Sequence, residues 1–122
     1  MAANMDIAAI AMENSSFRRV VETGEHSQVV VMDIPPGGEI GEEVHDHVDQ
    51  VLVFVAGEGE AILEGEGTPV RPGRLVFVPA GTRHNFVNKG NEDLKLYTVY
   101  APPEHAAGTV HETKEEADAA EH

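Results

Sequence analysis

The stretch from Gly73 to Asn88 constrains the fold more than any other part of the sequence. It contains the apolar run Leu75 to Val78, the turn sequence Pro79-Ala80-Gly81, and a second run with His84 near its start. Proline fixes one backbone dihedral and glycine tolerates positive φ, so this tripeptide suits a tight reversal between two strands. The stretch therefore predicts a rigid hairpin that presents one imidazole to whatever cavity the sheet encloses.

Short apolar runs separated by glycine- and proline-rich turns recur along the chain. Runs of this length and spacing predict an all-β barrel or sandwich, and jelly rolls are one such solution. The apolar stretch at residues 8–12 is predicted to be a brief strand or turn that packs on the barrel. The predicted strands are residues 17–22, 27–34, 40–45, 50–56, 60–64, 68–71, 75–78 and 94–100, together with the strand that carries His84.

The spacing of the first feature resembles the second sequence motif of the cupins, a superfamily of small β-barrels that usually bind a metal. Gly73 is followed after five residues by Pro79, after one more by Gly81, after two by His84 and after three by Asn88. All five positions match. The resemblance implies that the His84 imidazole is a metal ligand.

The first cupin motif is present in altered form. The family pattern places two histidines after a glycine, then a glutamate and a second glycine. One register starts at Gly37 and reaches Glu43, His45, Gln50 and Gly57 with every spacing intact. In this register Glu43 replaces the first histidine and Gln50 replaces the glutamate.

A second register uses His45 and His47 as the histidine pair, but it puts Glu39 where the first glycine belongs. Strand geometry favours the first register, because residues i and i+2 point to the same face, as Glu43 and His45 would. It also leaves residues 46–49 as a four-residue connection, a common hairpin length. His47 is then a loop residue near the site. His47 and Asp49 remain alternative ligands or neighbours of the ligands.

The predicted donor set combines two imidazoles, one carboxylate and one amide oxygen, which suits a divalent ion. Zinc, manganese, iron and nickel are all compatible, and the residues do not choose among them. Side chains that share a face with these donors on the same strands are predicted to line the pocket. The predicted metal ligands are Glu43, His45, Gln50 and His84, and the predicted pocket residues are Leu52, Phe54 and Phe86.

Residues 17–113 as a whole look like a small single-domain bacterial cupin. The resemblance implies a double-stranded β-helix (jelly-roll) barrel over residues 17–103, after an N-terminal extension at residues 1–16. Residues 104–122 form an acidic tail that is predicted to be helical or disordered. Its three histidines are not expected to bind metal, because nothing in the sequence fixes their geometry; they are His105, His111 and His122.

Cupins include isomerases, epimerases, decarboxylases, lyases, dioxygenases and non-catalytic binders, and a fold does not choose among them. The predicted shell resembles that of phosphomannose-isomerase-like cupins. The expected function is therefore that of a metal-dependent sugar isomerase, epimerase or lyase acting on a small oxygenated molecule. A metal dioxygenase and a non-catalytic small-molecule-binding module are the alternatives. No catalytic residue is assigned.

Charge and composition exclude several function classes. Eight basic against 22 acidic residues give a net charge of −14, which repels nucleic acid. No stretch approaches the ~20 apolar residues of a membrane span, and residues 1–16 lack the features of a signal peptide. The chain has no cysteine. We therefore expect a cytoplasmic protein without a nucleic-acid or membrane partner.

One predicted strand bears on assembly. If Gln50 points into the barrel, Val51, Val53 and Val55 point outward and need cover. The N-terminal segment or a second copy of the chain would supply it. The expectation is a homodimer.

Overall fold

Antiparallel strands carry most of the fold in the computed structural model, which describes residues 2–120. This range contains nine strands, with one short helix before the first strand and another after the last. In chain order they are α1 (Ile7–Glu13), β1 (Arg18–Thr23), β2 (Gln28–Ile34), β3 (Asp49–Ala56), β4 (Gly59–Leu63), β5 (Glu66–Val70), β6 (Leu75–Val78), β7 (His84–Asn88), β8 (Leu94–Ala101), β9 (Val110–His111) and α2 (Lys114–Ala120).

The strands form two sheets that enclose one apolar core. The larger sheet has the order β6-β3-β8-β2-β1-β9 and the smaller one the order β5-β4-β7. Burial alternates along β3, β7 and β8, as expected for strands with one face on a core. Phe54 of the larger sheet meets Phe86 of the smaller one, with ring centroids 5.8 Å apart. The core therefore lies between the sheets.

The prediction of a strand or turn at residues 8–12 is wrong, because this stretch lies in α1. The Asp6 side chain caps the helix by accepting a hydrogen bond from the backbone N–H of Ala9 at 3.2 Å. Such a bond satisfies a donor that the first helical turn leaves unpaired, and it favours the helix over an extended form. The helix packs against β8, β2 and β3.

The prediction of a regular strand at residues 40–45 is also wrong. This segment is extended, but it joins the smaller sheet only through isolated bridges, one pairing Glu39 with Val87 and the other Glu43 with His84. Between the bridges, Gly41 has a φ of 105°, outside the range of a strand residue. The Gly41 N–H bonds instead to the Asn85 side chain at 2.9 Å.

The C-terminal segment packs on the barrel before its helix begins. Strand β9 pairs with β1, and the backbone N–H of Phe17 donates to the Glu112 carbonyl at 3.1 Å. The buried Gln28 side chain donates to the His105 carbonyl at 2.7 Å and accepts from the N–H of His105 at 3.0 Å. Helix α2 agrees with the helical option for the tail. His122 lies outside the described residues.

The outer face of the larger sheet is only partly covered. Lys95 of β8 bonds to the carbonyls of Met12 and Asn14, which fixes the end of α1 against the sheet. On the edge strand β6, Leu75 and Phe77 are 58% and 54% exposed. Within residues 2–120, no helix has the length and apolar character needed to cross a bilayer.

Candidate metal centre

His84 is held by the hairpin that the sequence predicted. It is the first residue of β7, and its side chain is buried. Its Nδ1 lies 2.9 Å from the Thr82 carbonyl, which can only accept, so Nδ1 carries the proton and Nε2 keeps its lone pair. Burial lowers the pKa of His84 below its ordinary value, and nearby His45 lowers it further. His84 is thus kept as the neutral imidazole that metal ligation requires.

A two-way backbone bridge brings the extended segment beside His84. The N–H of Glu43 donates to the His84 carbonyl and the N–H of His84 donates to the Glu43 carbonyl, both at 2.9 Å. The His45 carbonyl then accepts from the N–H of Gly81 at 2.8 Å, which ties the segment to the hairpin turn. These bonds hold two separate parts of the sequence in a fixed relation.

The result is a compact cluster of Glu43, His45 and His84. One ligand atom from each residue lies within 4.8 Å of the other two. The His45 Nε2 atom is 3.8 Å from a carboxylate oxygen of Glu43, and the ring centroids of His45 and His84 are 5.4 Å apart. These are three of the four predicted ligands, and they come together as the register starting at Gly37 requires.

Gln50, the fourth predicted ligand, is buried on β3 with its amide oriented by Thr98. The Thr98 hydroxyl donates to the Val51 carbonyl at 2.8 Å, so it is free to accept from Gln50 Nε2 at 3.1 Å. That arrangement leaves the Gln50 Oε1 atom without a hydrogen-bond partner. An amide oxygen left in this state is suited to meet a cation.

Unpartnered atoms show that these residues fit a metal ion. His45 Nε2, His84 Nε2 and Gln50 Oε1 are all buried, and none has a hydrogen-bond partner. Buried polar atoms are normally satisfied, so three such atoms at predicted ligand positions agree with a role in metal binding. Imidazole nitrogens and oxygen donors together suit a divalent transition metal, with Glu43 supplying the negative charge.

The alternative residues lie elsewhere. His47 is exposed in the loop and is not in the cluster. Asp49 is exposed as well, and its carboxylate accepts a hydrogen bond from the N–H of Ala80 at 2.9 Å. Asp49 therefore stabilises the turn before His84, and neither residue takes part in the cluster itself.

The three residues predicted to line the pocket belong instead to the packed core. Leu52, Phe54 and Phe86 are each 0% exposed and form part of the main hydrophobic cluster. The Phe86 ring lies 6.1 Å from the His84 ring. A barrel this small fills its interior with side chains, so these residues pack in the core next to the site and do not line an open pocket.

Two motif residues without ligand chemistry have structural roles. Asn88 is buried, donates to the carbonyls of Ile34 and Glu92, and accepts from the N–H of Gly90. Gly57 has a φ of 83°, and a Cβ there would lie 2.4 Å from the Asp93 carbonyl oxygen. Both positions stabilise the barrel end remote from the cluster.

Sequence reasoning missed several polar residues beside the cluster. Arg18 and Tyr100 are buried on β1 and β8, and Glu104, His105 and His111 come from the C-terminal segment. The Tyr100 ring lies 6.2 Å from the His45 ring. Tyr100 is buried on the inner face of β8, whereas Tyr97 lies half-buried on the opposite face. The alternation of Arg18 with Val20 along β1 was the one available signal for Arg18.

Comparisons with known proteins agree with this architecture. A family model described as a cupin domain matches residues 30–100, more than half of the chain. The uncharacterized protein YrkC of Bacillus subtilis is 43% identical over 123 residues, covering 96% of this chain and 66% of YrkC. The chain therefore spans slightly less than two thirds of that relative.

Solved structures give the same result. The crystal structure of BH2720 from Bacillus halodurans has a TM-score of 0.96 and 41% identity, covering 98% of this chain and 95% of that chain. A predicted oxalate decarboxylase from Thermotoga maritima has a TM-score of 0.61 and 26% identity, covering 65% and 69% of the two chains. The all-β double-stranded β-helix barrel is thereby confirmed, and the chain belongs to the cupin family.

Proposed function

We propose that this cupin is a metal-dependent enzyme acting on a small oxygenated molecule, in an isomerase, epimerase or lyase type of reaction. The observation that carries the proposal is the convergence of the Glu43 carboxylate with the unpartnered imidazole nitrogens of His45 and His84. Gln50, whose buried Oε1 atom is unpartnered as well, is the proposed fourth ligand. A divalent ion held there would polarise a carbonyl or hydroxyl oxygen of the bound molecule. Zinc, manganese, iron and nickel all suit the donor set.

The residues around the cluster suit proton control at a bound molecule. Burial raises the pKa of Tyr100 above its ordinary value. Arg18 opposes this rise in the Tyr100 pKa through its charge and a hydrogen bond to Tyr100, and the Glu43 and Glu104 carboxylates add to it. The Tyr100 hydroxyl is therefore a hydrogen-bond donor at neutral pH, not a phenolate base. Burial lowers the pKa of His105 to about 4, with Arg18, His111 and His45 adding to the effect. His105 is thus neutral in the same environment.

A relative supports the lyase type of reaction within this proposal. The Thermotoga maritima neighbour is described as a predicted oxalate decarboxylase, which would cleave a carbon–carbon bond of a small acid. At 26% identity the likeness supports a reaction type, and the substrate of this chain has to be found by experiment.

We also propose that the chain forms a homodimer. Leu75 and Phe77 lie exposed on the edge strand β6, next to the outward-facing Val51 and Val53 in the pairing register. Together these side chains form an apolar strip on the outer face of β3 and β6. A second copy that covers the strip would remove it from water.

The proposal is tested by elemental analysis of protein purified without an affinity tag or chelator. We expect about one equivalent of a divalent metal, as four ligands in one site imply. His84→Ala should lose most of it with an unchanged circular dichroism spectrum. His47→Ala removes an exposed imidazole that lies outside the cluster, so it is the matched control and should keep the metal.

Metal identity then directs the search for activity. Zinc, manganese or nickel would support isomerase or lyase chemistry, and substrate panels of aldoses, ketoses and oxo acids would be followed by NMR. Iron would favour the oxygen chemistry of a dioxygenase. A protein that holds no metal and takes up none on titration would contradict the proposal.

A further inference from the structure

A second group of buried polar side chains adjoins the metal centre, and its most prominent member is Arg18. This residue is 3% exposed, and its Nε and one terminal nitrogen have no hydrogen-bond partner. Its guanidinium carbon lies 5.4 Å from the centre of the Phe17 ring, a contact that satisfies none of these N–H groups. Burying a charged group with unmet donors is costly, so the structure retains Arg18 at the expense of stability.

Two imidazoles in the same region are unsatisfied as well. His111 lies directly opposite Arg18 in the pairing of β9 with β1, and its Nδ1 atom is buried without a partner. The Nε2 atom of His105 is in the same state. Three side chains from two parts of the sequence therefore direct unmet polar atoms into one region.

This region is continuous with the metal centre. The His105 ring packs edge-on against Tyr100 with centroids 5.1 Å apart, and Tyr100 in turn lies 6.2 Å from the His45 ring. A molecule bound between the two groups would touch both. Arg18 and Glu43 also line a cleft of about 160 Å³, whose other walls include Lys114 and Asp118 of α2.

The position of the two histidines is built into the fold. The Gln28 side chain accepts from the N–H groups of Glu104 and His105 and donates to the His105 carbonyl, which fixes the start of the C-terminal segment. The pairing of β9 with β1 fixes its end. The group is thus preorganised, as a binding site requires.

We infer that Arg18, with His105 and His111, forms a carboxylate-binding subsite beside the metal centre. This inference rests on the proposed function and names its substrate class: a small carboxylic acid that also carries a hydroxyl or carbonyl oxygen. The carboxylate accepts from Arg18 and the imidazole N–H groups, and the second oxygen faces the cluster of Glu43, His45 and His84.

Charge favours a carboxylate over a phosphate group. Arg18 is the permanent cation among the three proposed subsite residues, and Lys114 at the adjoining cleft is already paired with Asp118 at 2.7 Å. The subsite therefore matches a single negative charge. Glu43 and Glu104 lie near enough to influence Tyr100 at the centre of the region, so a dianion would meet two carboxylates. Hydrogen bonds between a guanidinium and a carboxylate are charge-assisted and among the stronger ones in proteins.

The test compares two probes of nearly equal shape, glycolate and its neutral amide glycolamide, by NMR titration. Each is titrated into metal-free and zinc-loaded protein at constant ionic strength. We expect glycolate to bind the wild-type protein about tenfold or more tightly than glycolamide does, as charge-assisted hydrogen bonds imply. Arg18→Met should abolish this preference while retaining zinc. Arg19→Met, which removes the exposed neighbour on the other face of β1, should retain the preference.

Several outcomes would overturn the inference. Equal binding of glycolate and glycolamide to the wild-type protein would overturn it. This comparison needs no variant, so it remains decisive if Arg18→Met does not fold. Wild-type affinity for glycolate in a folded Arg18→Met protein would overturn it as well. Tighter binding of inorganic phosphate than of glycolate would reassign the subsite to a phosphate group.

The experiment distinguishes failure of the proposed metal site from failure of the proposed carboxylate subsite. If the wild-type protein takes up no zinc but metal-free protein still prefers glycolate through Arg18, the metal proposal fails and the subsite stands. If zinc binds at the Glu43 cluster and neither form distinguishes the two probes, the subsite fails and the metal proposal stands.

Discussion

The Nδ1 atom of His45 lies 3.7 Å from a carboxylate oxygen of Glu104, on the opposite side of the ring from Glu43. Histidines that bind metal commonly face a carboxylate or carbonyl with the other ring nitrogen, which fixes the ring orientation and raises its basicity. His84 has such a partner in the Thr82 carbonyl. Glu104 is the carboxylate placed to take this part for His45, although it comes from the C-terminal segment.

Glu104→Gln is therefore expected to weaken metal binding without removing a ligand. The loss should be about 10- to 100-fold in affinity, the range typical for partners that orient a ligand. Competition with a chromophoric chelator measures it. Glu115→Gln, an exposed carboxylate of α2, is the control for lost negative charge. Equal affinities for the two variants would show that Glu104 does not orient His45.

Gln28→Ala should loosen the C-terminal segment. The change removes the side chain that bonds to both Glu104 and His105, and it leaves partly buried backbone groups unpaired. An unpaired buried group costs about 1–3 kcal/mol, so the free energy of unfolding should fall by no more than about this amount for each partly buried group. Hydrogen exchange at residues 104–111 should quicken more than exchange in β3. Uniform exchange changes across the barrel would mean that Gln28 acts only on global stability.

Asp33→Asn should change how stability depends on pH. Burial and the neighbouring Asp93 together raise the pKa of Asp33 to about 6, against the opposing effect of Lys95. A carboxyl whose pKa is higher in the folded state binds more protons there, so its penalty is absent below pH 3.8 and complete above about pH 6. Wild-type stability should therefore lose up to about 3 kcal/mol over this window relative to the variant.

Thermal or urea unfolding of both proteins at pH 4 and pH 7 measures this difference. The stability of the variant relative to the wild type should rise with pH. Asp46→Asn, in the exposed loop, controls for the loss of one negative charge. A difference between Asp33→Asn and the wild type that stays constant from pH 4 to pH 7 would exclude the proposed effect.

Phe77→Glu should disrupt the proposed homodimer. The residue is 54% exposed on the edge strand β6, and a charge there would have to be buried in the dimer interface. Sedimentation equilibrium should show a dimer for the wild type and a monomer for the variant. Val110→Glu places the same charge on β9, at the other edge of the sheet, and should leave the dimer intact. A monomeric wild-type protein would refute the proposal.

Local sequence was sufficient for several of the strands and for the spacing of the candidate ligands. Turn residues and alternating apolar residues act over a few positions, so β2, β3, β6 and β8 were placed nearly as the structure has them. The spacing of Glu43 and His45 also reflects a local rule, since residues two apart in an extended segment share a face. Helix α1 was missed because a helix of seven residues depends on tertiary packing for its stability, and a short apolar run does not reveal that packing.

The sequence by itself determined the β-barrel class, the family resemblance and the choice of Glu43, His45, Gln50 and His84 as candidate ligands. Only the tertiary structure decided that Leu52, Phe54 and Phe86 fill the core, since pocket volume depends on how both sheets pack. It alone brought Arg18 and the C-terminal histidines beside the cluster. That relation depends on pairing between strands more than 80 residues apart in the chain, and no local pattern encodes such contacts.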